Sequence, residues 1–278
     1  MEFKTIEKGA LIDCHLHLQE AVFSLRLEEV LERAARQGVG SFVCNGIRES
    51  DWPQVLAIAQ KHPQVIPCFG LHPWQVRNRS PRWLEELEKF LTLIPSGIGE
   101  VGLDFHIDDR DEAAQVEVFR AQLALARRLN RPVMIHCVHA WEKLLEILRE
   151  EPPPAYGIML HAFGGDAKVV EPLCEFGAWF SFSGVTFDPK KTVRRQVLPL
   201  IPRDRLLVET DSPDMLPPEP YRPFVLLASD GRRLNEPANL PAILKGIAEL
   251  LHEEPEALAC QIVSNSRRFL SEILPKSG

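Results

Sequence analysis

Long hydrophobic runs are absent from this sequence. Nowhere in its 278 residues does an apolar stretch approach the ~20 residues of a membrane-spanning helix, so no such span is expected. Residues 1–10 alternate charged and apolar side chains and lack the continuous apolar core of a secretory signal. Positive charge is in short supply too. Against 39 Asp and Glu stand 32 Lys and Arg, a formal net charge of −7, so no global field draws the protein to nucleic acid or to an anionic membrane. A phosphate-bearing substrate would need a local positive centre, which bound metals can supply. Cysteine is sparse: Cys14, Cys44, Cys68, Cys137, Cys174 and Cys260 form no CxxC motif. Four of the six lie in or at the end of strand-like runs, as buried reduced thiols do, which argues against a disulfide framework and for a cytoplasmic protein. Nothing in the composition singles out a membrane or protein partner.

What the chain has is a rhythm. With 45% hydrophobic and 26% charged residues, it has the composition of one large α/β barrel or of two small domains. Strand-like runs lie near 10–16, 41–47, 65–71, 97–103, 132–137, 157–163, 179–184 and 205–210. Several are continuously apolar, as parallel strands buried on both faces are. Helix-period segments separate them. Leu27, Val30, Leu31 and Ala34 share one face, as do Val116, Phe119, Leu123 and Ala126, and again Trp141, Leu144, Leu145 and Leu148. Eightfold alternation with no break in composition predicts a single TIM-type (β/α)8 barrel over residues 1–278. Asp51-Trp52-Pro53 and Ser80-Pro81 mark helix starts, and two helices near 238–252 and 256–270 close the chain. The proline-rich segment Asp214–Pro237 is longer than most connections and is expected to be an irregular functional loop over the barrel mouth.

Polar residues punctuate the ends of the runs. His15 and His17, two apart on a strand, point to one face while Leu16 points to the other. Glu100 lies within apolar Ile98–Asp104, where a carboxylate is costly to bury unless it is paired or bound to a cation. A salt bridge to an arginine would satisfy it, and so would a metal. From a central strand it can bridge two cations. His136 and His161 each end an apolar strand. A lone histidine there reads as core, but two on consecutive strands beside the first pair read as ligands. Asp211 ends the run 205–211, and in a closed barrel strand eight neighbours strand one, so Asp211 belongs beside His15 and His17. It can ligate a metal and accept a proton from water. Glu209 shares its inward parity and either joins the site or orients the loop backbone. His72 ends the run 65–72. His106 and His139 either line the site or serve in loops, and His62 and His252, near helix ends, are expected to be solvated. Ligands presented by successive strand ends are how such a barrel builds an active site. The His, Glu and Asp mix suits more than one divalent ion, zinc through its imidazoles or magnesium and manganese through its carboxylates.

Seven motifs in this order and spacing resemble the TatD family of metal-dependent hydrolases over almost the whole chain. They are Ile12-Asp13-Cys14-His15-Leu16-His17, Gly70-Leu71-His72-Pro73, Gly99-Glu100-Val101-Gly102-Leu103-Asp104, Pro132-Val133-Met134-Ile135-His136, Leu160-His161-Ala162-Phe163, Leu207-Val208-Glu209-Thr210-Asp211-Ser212-Pro213 and Asn235-Glu236-Pro237. The resemblance implies an amidohydrolase-like TIM barrel with a two-metal site. One ion would take His15, His17, Glu100 and Asp211, the other Glu100, His136 and His161, with Glu100 bridging. It also implies a deoxyribonuclease acting on the ends of DNA or another phosphodiester. Asp211 would accept the proton of the attacking water, and His72 would contact the substrate phosphate. Many binuclear amidohydrolases bridge their metals with a strand-four lysine. Glu100 stands there instead, which weighs against the competing reading, a small-molecule ester, lactone or amide hydrolase. A third reading, a non-catalytic metal-binding protein, is disfavoured by the intact ligand set.

Three departures from the family pattern bear on substrate. Cys137-Val138-His139 stands where Ser-Arg-Asp is usual, which removes a phosphate-facing arginine. His161-Ala162-Phe163-Gly164-Gly165 replaces His-Cys-Phe-Ser-Gly, and Leu234 stands where an arginine often precedes Asn-Glu-Pro. Few backbone contacts are therefore expected, with Arg222, Arg232 and Arg233 of the long loop as the remaining candidates.

Overall fold

The strand-like runs become β1 (Leu11–Leu16), β2 (Val39–Asn45), β3 (Val65–Phe69), β4 (Gly97–Asp104), β5 (Val133–Val138), β6 (Ile158–Leu160), β7 (Trp179–Phe182) and β8 (Leu206–Val208). They lie parallel and in chain order in one eight-stranded sheet of the computed structural model, which describes residues 10–274. Helices α1 (Leu27–Arg36), α2 (Trp52–Lys61), α3 (Trp83–Leu93), α4 (Glu112–Leu129), α5 (Trp141–Glu150), α6 (Ala167–Glu175), α7 (Thr192–Val197), α8 (Leu240–Leu251) and α9 (Pro255–Phe269) complete a (β/α)8 barrel. No helix among the described residues is long and apolar enough to cross a membrane.

The barrel is closed at its seam by a few specific bonds rather than by a ladder. The Asp211 N–H donates to His15 O at 2.9 Å, and the His17 N–H to Ser212 O at 2.8 Å. Asp13, buried on β1, accepts from the Thr210 N–H at 2.9 Å and from the Thr210 hydroxyl at 2.5 Å. These bonds bring the ends of β1 and β8 side by side.

Side chains fill two layers. Ile12, Val43, Ile66, Met134, Met159 and Leu207 pack inside the barrel against Phe269, Leu270 and Ile273, so α9 and the turn after it stopper the end opposite the C-terminal ends of the strands. The larger layer lies between strands and helices. The α1 stripe of Leu27, Val30, Leu31 and Ala34 is buried as its spacing predicts. On α4 the buried stripe instead runs through Gln115, Val118, Phe119, Gln122, Leu123 and Ala126, while Val116 sits at its edge. Two glutamines displace the apolar expectation because each serves a backbone. Gln115 accepts from the Asp104 N–H at 2.8 Å and donates to Asp104 O at 3.0 Å. Gln122 does the same for Leu71, at 2.8 and 3.1 Å. Each amide copies the bonding of a missing neighbour strand.

Three local expectations are corrected. Helix α3 starts at Trp83 rather than at Ser80-Pro81, because the Ser80 N–H and hydroxyl are bound by Glu49 at 2.8 and 2.6 Å. β6 and β8 end three residues short of or two residues before the runs 157–163 and 205–210, since Ala162 (φ +40°) and Asp211 (φ +56°) turn left-handed and take the chain off the ladder. Segment 214–237 is not wholly irregular: β9 (Leu226–Leu227) and β10 (Arg233–Leu234) pair as an antiparallel hairpin.

Candidate active site

At the ends of the strands the structure gathers His15, His17, His72, Glu100, His136, His161 and Asp211 around one centre. Glu100 is its middle, with two oxygens that face different partners. Oε2 lies 3.4 Å from both His15 Nε2 and His17 Nε2. Oε1 lies 2.9 Å from His136 Nδ1, 2.9 Å from His161 Nε2 and 3.3 Å from His72 Nε2. Asp211 Oδ1 stands on the Oε2 side, 3.7 Å from His15 Nε2 and 3.4 Å from His17 Nε2. The His15 and His161 rings stack at 4.1 Å and join the two halves.

Partners outside the centre decide which nitrogen of each ring carries its proton. His17 Nδ1 bonds the Asn45 carbonyl at 2.8 Å and must donate there, leaving the Nε2 lone pair for the centre. His136 Nε2 faces the Asp104 carboxylate at 3.1 Å, so Nδ1 is the free donor atom. His161 Nδ1 points to Glu209 Oε1 at 3.5 Å, which leaves Nε2. His72 is the opposite case. Its Nδ1 accepts the Trp74 N–H at 3.2 Å, so its proton sits on Nε2. That ring offers the centre a hydrogen-bond donor rather than a lone pair.

Electrostatics follow the same division. Burial alone would raise the Glu100 carboxyl, but the surrounding imidazoles, His161, His72 and His15 foremost, hold it well below the usual carboxylate range. Asp211 is likewise held low, because the His17 hydrogen bond and the nearby rings outweigh burial. Burial opposes a charge on His17, yet Asp211 and Glu100 lift it to about 9, so near pH 7 its Nε2 also carries a proton that a bound cation would displace. Burial lowers His72 to about 4, so it stays neutral near pH 7.

The donor set suits a divalent cation. Imidazole nitrogens with free lone pairs and two ionised carboxylates converge within bonding reach, and His15, His17 and Glu100 form one of three overlapping groups compact enough to share an ion. Among the described residues both ring nitrogens of His15 are buried with no hydrogen-bond partner. Such orphaning costs roughly 1–3 kcal/mol per group, and a cation at the centre would relieve it at Nε2, the nitrogen that faces Glu100 and Asp211.

One contributor, Asp104, was not singled out from sequence. Asp104 accepts from Trp74 Nε1–H at 2.7 Å and from the His106 N–H at 2.9 Å while it holds His136. Its place on β4, four residues beyond Glu100, is the signal that could have found it. Glu209 takes the loop-orienting role, accepting from the Ala162 N–H at 2.6 Å beneath the left-handed turn that follows His161. Asn235 donates to Thr210 O at 2.8 Å, and Glu236 binds Arg33 of α1 through two bonds of 2.5 and 2.7 Å. Thus the Asn235-Glu236-Pro237 motif braces the Asp211 turn. The His106 and His139 rings lie tilted to each other with centroids 4.8 Å apart, outside the Glu100 cluster. His252 is exposed, but His62 is half-buried, 3.9 Å from Glu28, rather than solvated.

Comparison with known proteins points to one family. Residues 12–271 match the model of a family described as TatD related DNase. An uncharacterized metal-dependent hydrolase, YabD of Bacillus subtilis, is 34% identical over 263 residues, 93% of this chain and 98% of its own. A 3'-5' ssDNA/RNA exonuclease TatD of Erwinia tasmaniensis is 32% identical over 268 residues, 94% of this chain and 100% of its own. Among solved structures, the TatD homologue YJJV of Escherichia coli K12 superposes with a TM-score of 0.85 at 29% identity, covering 93% of this chain and 97% of that one.

Proposed function

The chain belongs to the TatD-related DNase family, and we propose that it is a metal-dependent phosphodiesterase that shortens single-stranded nucleic acid from an end. The observation that carries the reading is the divided carboxylate of Glu100. Oε2 faces His15, His17 and Asp211, and Oε1 faces His136 and His161, which is the arrangement a bridge between two cations needs. On this reading His15, His17 and Asp211 would hold one ion and His136 and His161 the other, with Glu100 shared. When bound, such ions supply Lewis acidity that lowers the pKa of water and offsets charge on the phosphoryl oxygens.

The chain's own groups do the rest. Asp211, ionised and at the seam of β1 and β8, takes the proton of the water that attacks phosphorus, as the bond to the leaving oxygen breaks. His72, neutral and protonated on Nε2, donates to a non-bridging oxygen of the phosphodiester. Asp104 and Glu209 fix the His136 and His161 rings. Against the small-molecule ester reading stands the Erwinia relative, described as a 3'-5' ssDNA/RNA exonuclease.

The test is a substrate panel with purified protein: single-stranded DNA, duplex DNA, RNA and simple carboxylic esters, each with zinc, magnesium or manganese. Release of mononucleotides from single strands, abolished by chelator and restored by metal, is expected. Brisk ester turnover with no cleavage of nucleic acid would overturn the proposal.

A further inference from the structure

A second cavity of about 260 Å³ opens beside the Glu100 cluster and shares walls with it, since His136 and His161 line both. Its other walls include Val138, Lys190, Lys191 and Arg194. No Asp or Glu lines it. In a chain of net charge −7 this wall sets three cations together with no carboxylate among its lining residues. Most lysine and arginine side chains elsewhere in the structure meet a carboxylate. Among the described residues, none lies within 4 Å of the charged groups of Lys190, Lys191 or Arg194, whereas Arg222 is tied to Glu219 and Arg232 to Asp230. Arg222 and Arg232 of the long loop are thus committed locally, whereas Lys190 and Lys191 stand on the connection between β7 and α7 and Arg194 stands in α7.

Arg194 is built into this wall. Its Nη1 donates to the carbonyls of Ala162 and Phe163, just past His161. Gly164 makes room for it: a Cβ at that position would stand 3.0 Å from Arg194 Nη2. With Nη1 bound to backbone, Nη2 remains for a ligand. Lys190 and Lys191 are exposed and flank the opening, so they can close on an anion without leaving a partner. A multiply contacted anion next to the reaction centre is the chemistry this cavity favours.

We propose that the cavity is the subsite for the phosphodiester next to the one being cleaved, neutralised by Lys190, Lys191 and Arg194. The inference rests on the nuclease reading and adds to it where the substrate strand runs. The cavity lies where Val138 leaves strand five without a cation, and Lys190 and Lys191 of the β7–α7 connection, with Arg194 of α7, supply the charge. The enzyme should therefore require an ionised penultimate linkage, and a substrate with a single phosphodiester should bind poorly.

The experiment compares two single-stranded oligonucleotides, one with natural linkages and one carrying a neutral methylphosphonate at the penultimate linkage. Each is cleaved by metal-loaded wild type and by the Lys190→Ala/Lys191→Ala variant, whose folding is checked by its melting temperature. Wild type is expected to lose about tenfold in kcat/KM on the neutral linkage, through KM. The variant should lose as much on the natural strand yet show at most a twofold difference between the two strands, because the removed partners are the same. The slope of log KM against log salt should flatten by about 0.7, the value for one phosphate on a single strand. The Lys190→Arg/Lys191→Arg variant should restore both effects. Equal cleavage of the two strands by wild type, or an undiminished preference in the alanine variant, overturns the subsite and leaves the nuclease reading standing. Failure of wild type to cleave either strand overturns both.

Discussion

At the scale of single residues, position relative to the Glu100 carboxylate sets the expected consequence of each substitution. Glu100→Ala removes the group that faces both halves of the site, whereas His161→Ala removes one ring from one half. Elemental analysis of the purified variants should find less metal in the first than in the second. The rate on single-stranded DNA should fall on the order of 100-fold or more for Glu100→Ala, the size of losing several kcal/mol of transition-state stabilisation. Equal metal content in the two would count against bridging. Asp211→Asn separates two roles of one side chain, since the amide keeps an oxygen but cannot take a proton. The kcat should drop by roughly 100-fold or more with metal occupancy nearly retained. If occupancy and rate fall together, Asp211 acts only as a ligand.

At the scale of elements, α4 does more than cover the sheet. Its two buried glutamines hold the backbone at Asp104 and Leu71, next to the residues that fix His136 and to His72 itself. Gln122→Ala leaves the Leu71 N–H and C=O buried without partners, which costs about 2 kcal/mol. Urea unfolding should show that loss as a lower midpoint at unchanged slope. Because Leu71 precedes His72, KM should rise as well. A midpoint equal to that of wild type would mean that water replaces the amide and that α4 does not hold this loop. The hairpin of β9 and β10 similarly turns a proline-rich segment into a braced one, with Asn239 binding the Phe224 N–H and carbonyl at 2.9 and 2.8 Å.

At the scale of the molecule, charge and topology together set what the protein can engage. A surface with net charge −7 repels an extended polyanion, while the cavity beside the centre gathers three cations with no carboxylate in its walls. Neutralising one or two phosphates on a single strand gives a slope of log affinity against log salt of about −0.7 to −1.4. Titration of a labelled single-stranded oligonucleotide from low to moderate salt measures it. A much steeper slope, or fast cutting of closed circular duplex, would show an extended binding track that this surface lacks. Closure of the barrel matters to the same end. The Asp13–Thr210 clasp and the two backbone bonds across the seam hold Asp211 against His15 and His17, so the site depends on contacts between the two ends of the barrel's sheet.

By itself the sequence determined the order of strands and helices and which polar residues stand at strand ends. Period-two and period-3.6 patterns are properties of a chain read locally, and His15, His17, His136 and His161 each declare themselves against an apolar run. The same reading overlooked Gln115 and Gln122, because a polar residue on a buried helical face is legible only once the backbone it serves is beside it. It also spread the candidate cations over Arg222, Arg232 and Arg233, of which Arg222 and Arg232 are taken up by Glu219 and Asp230. Only the tertiary structure decided which oxygen of Glu100 faces which ring, which nitrogen of each histidine is free, and that Lys190, Lys191 and Arg194 share a cavity with His136 and His161. Those facts rest on register, on the left-handed turns at Ala162 and Asp211, and on the seam that joins β8 to β1. Contacts across such distances in sequence are fixed by packing of the whole barrel and leave no periodic trace in the chain.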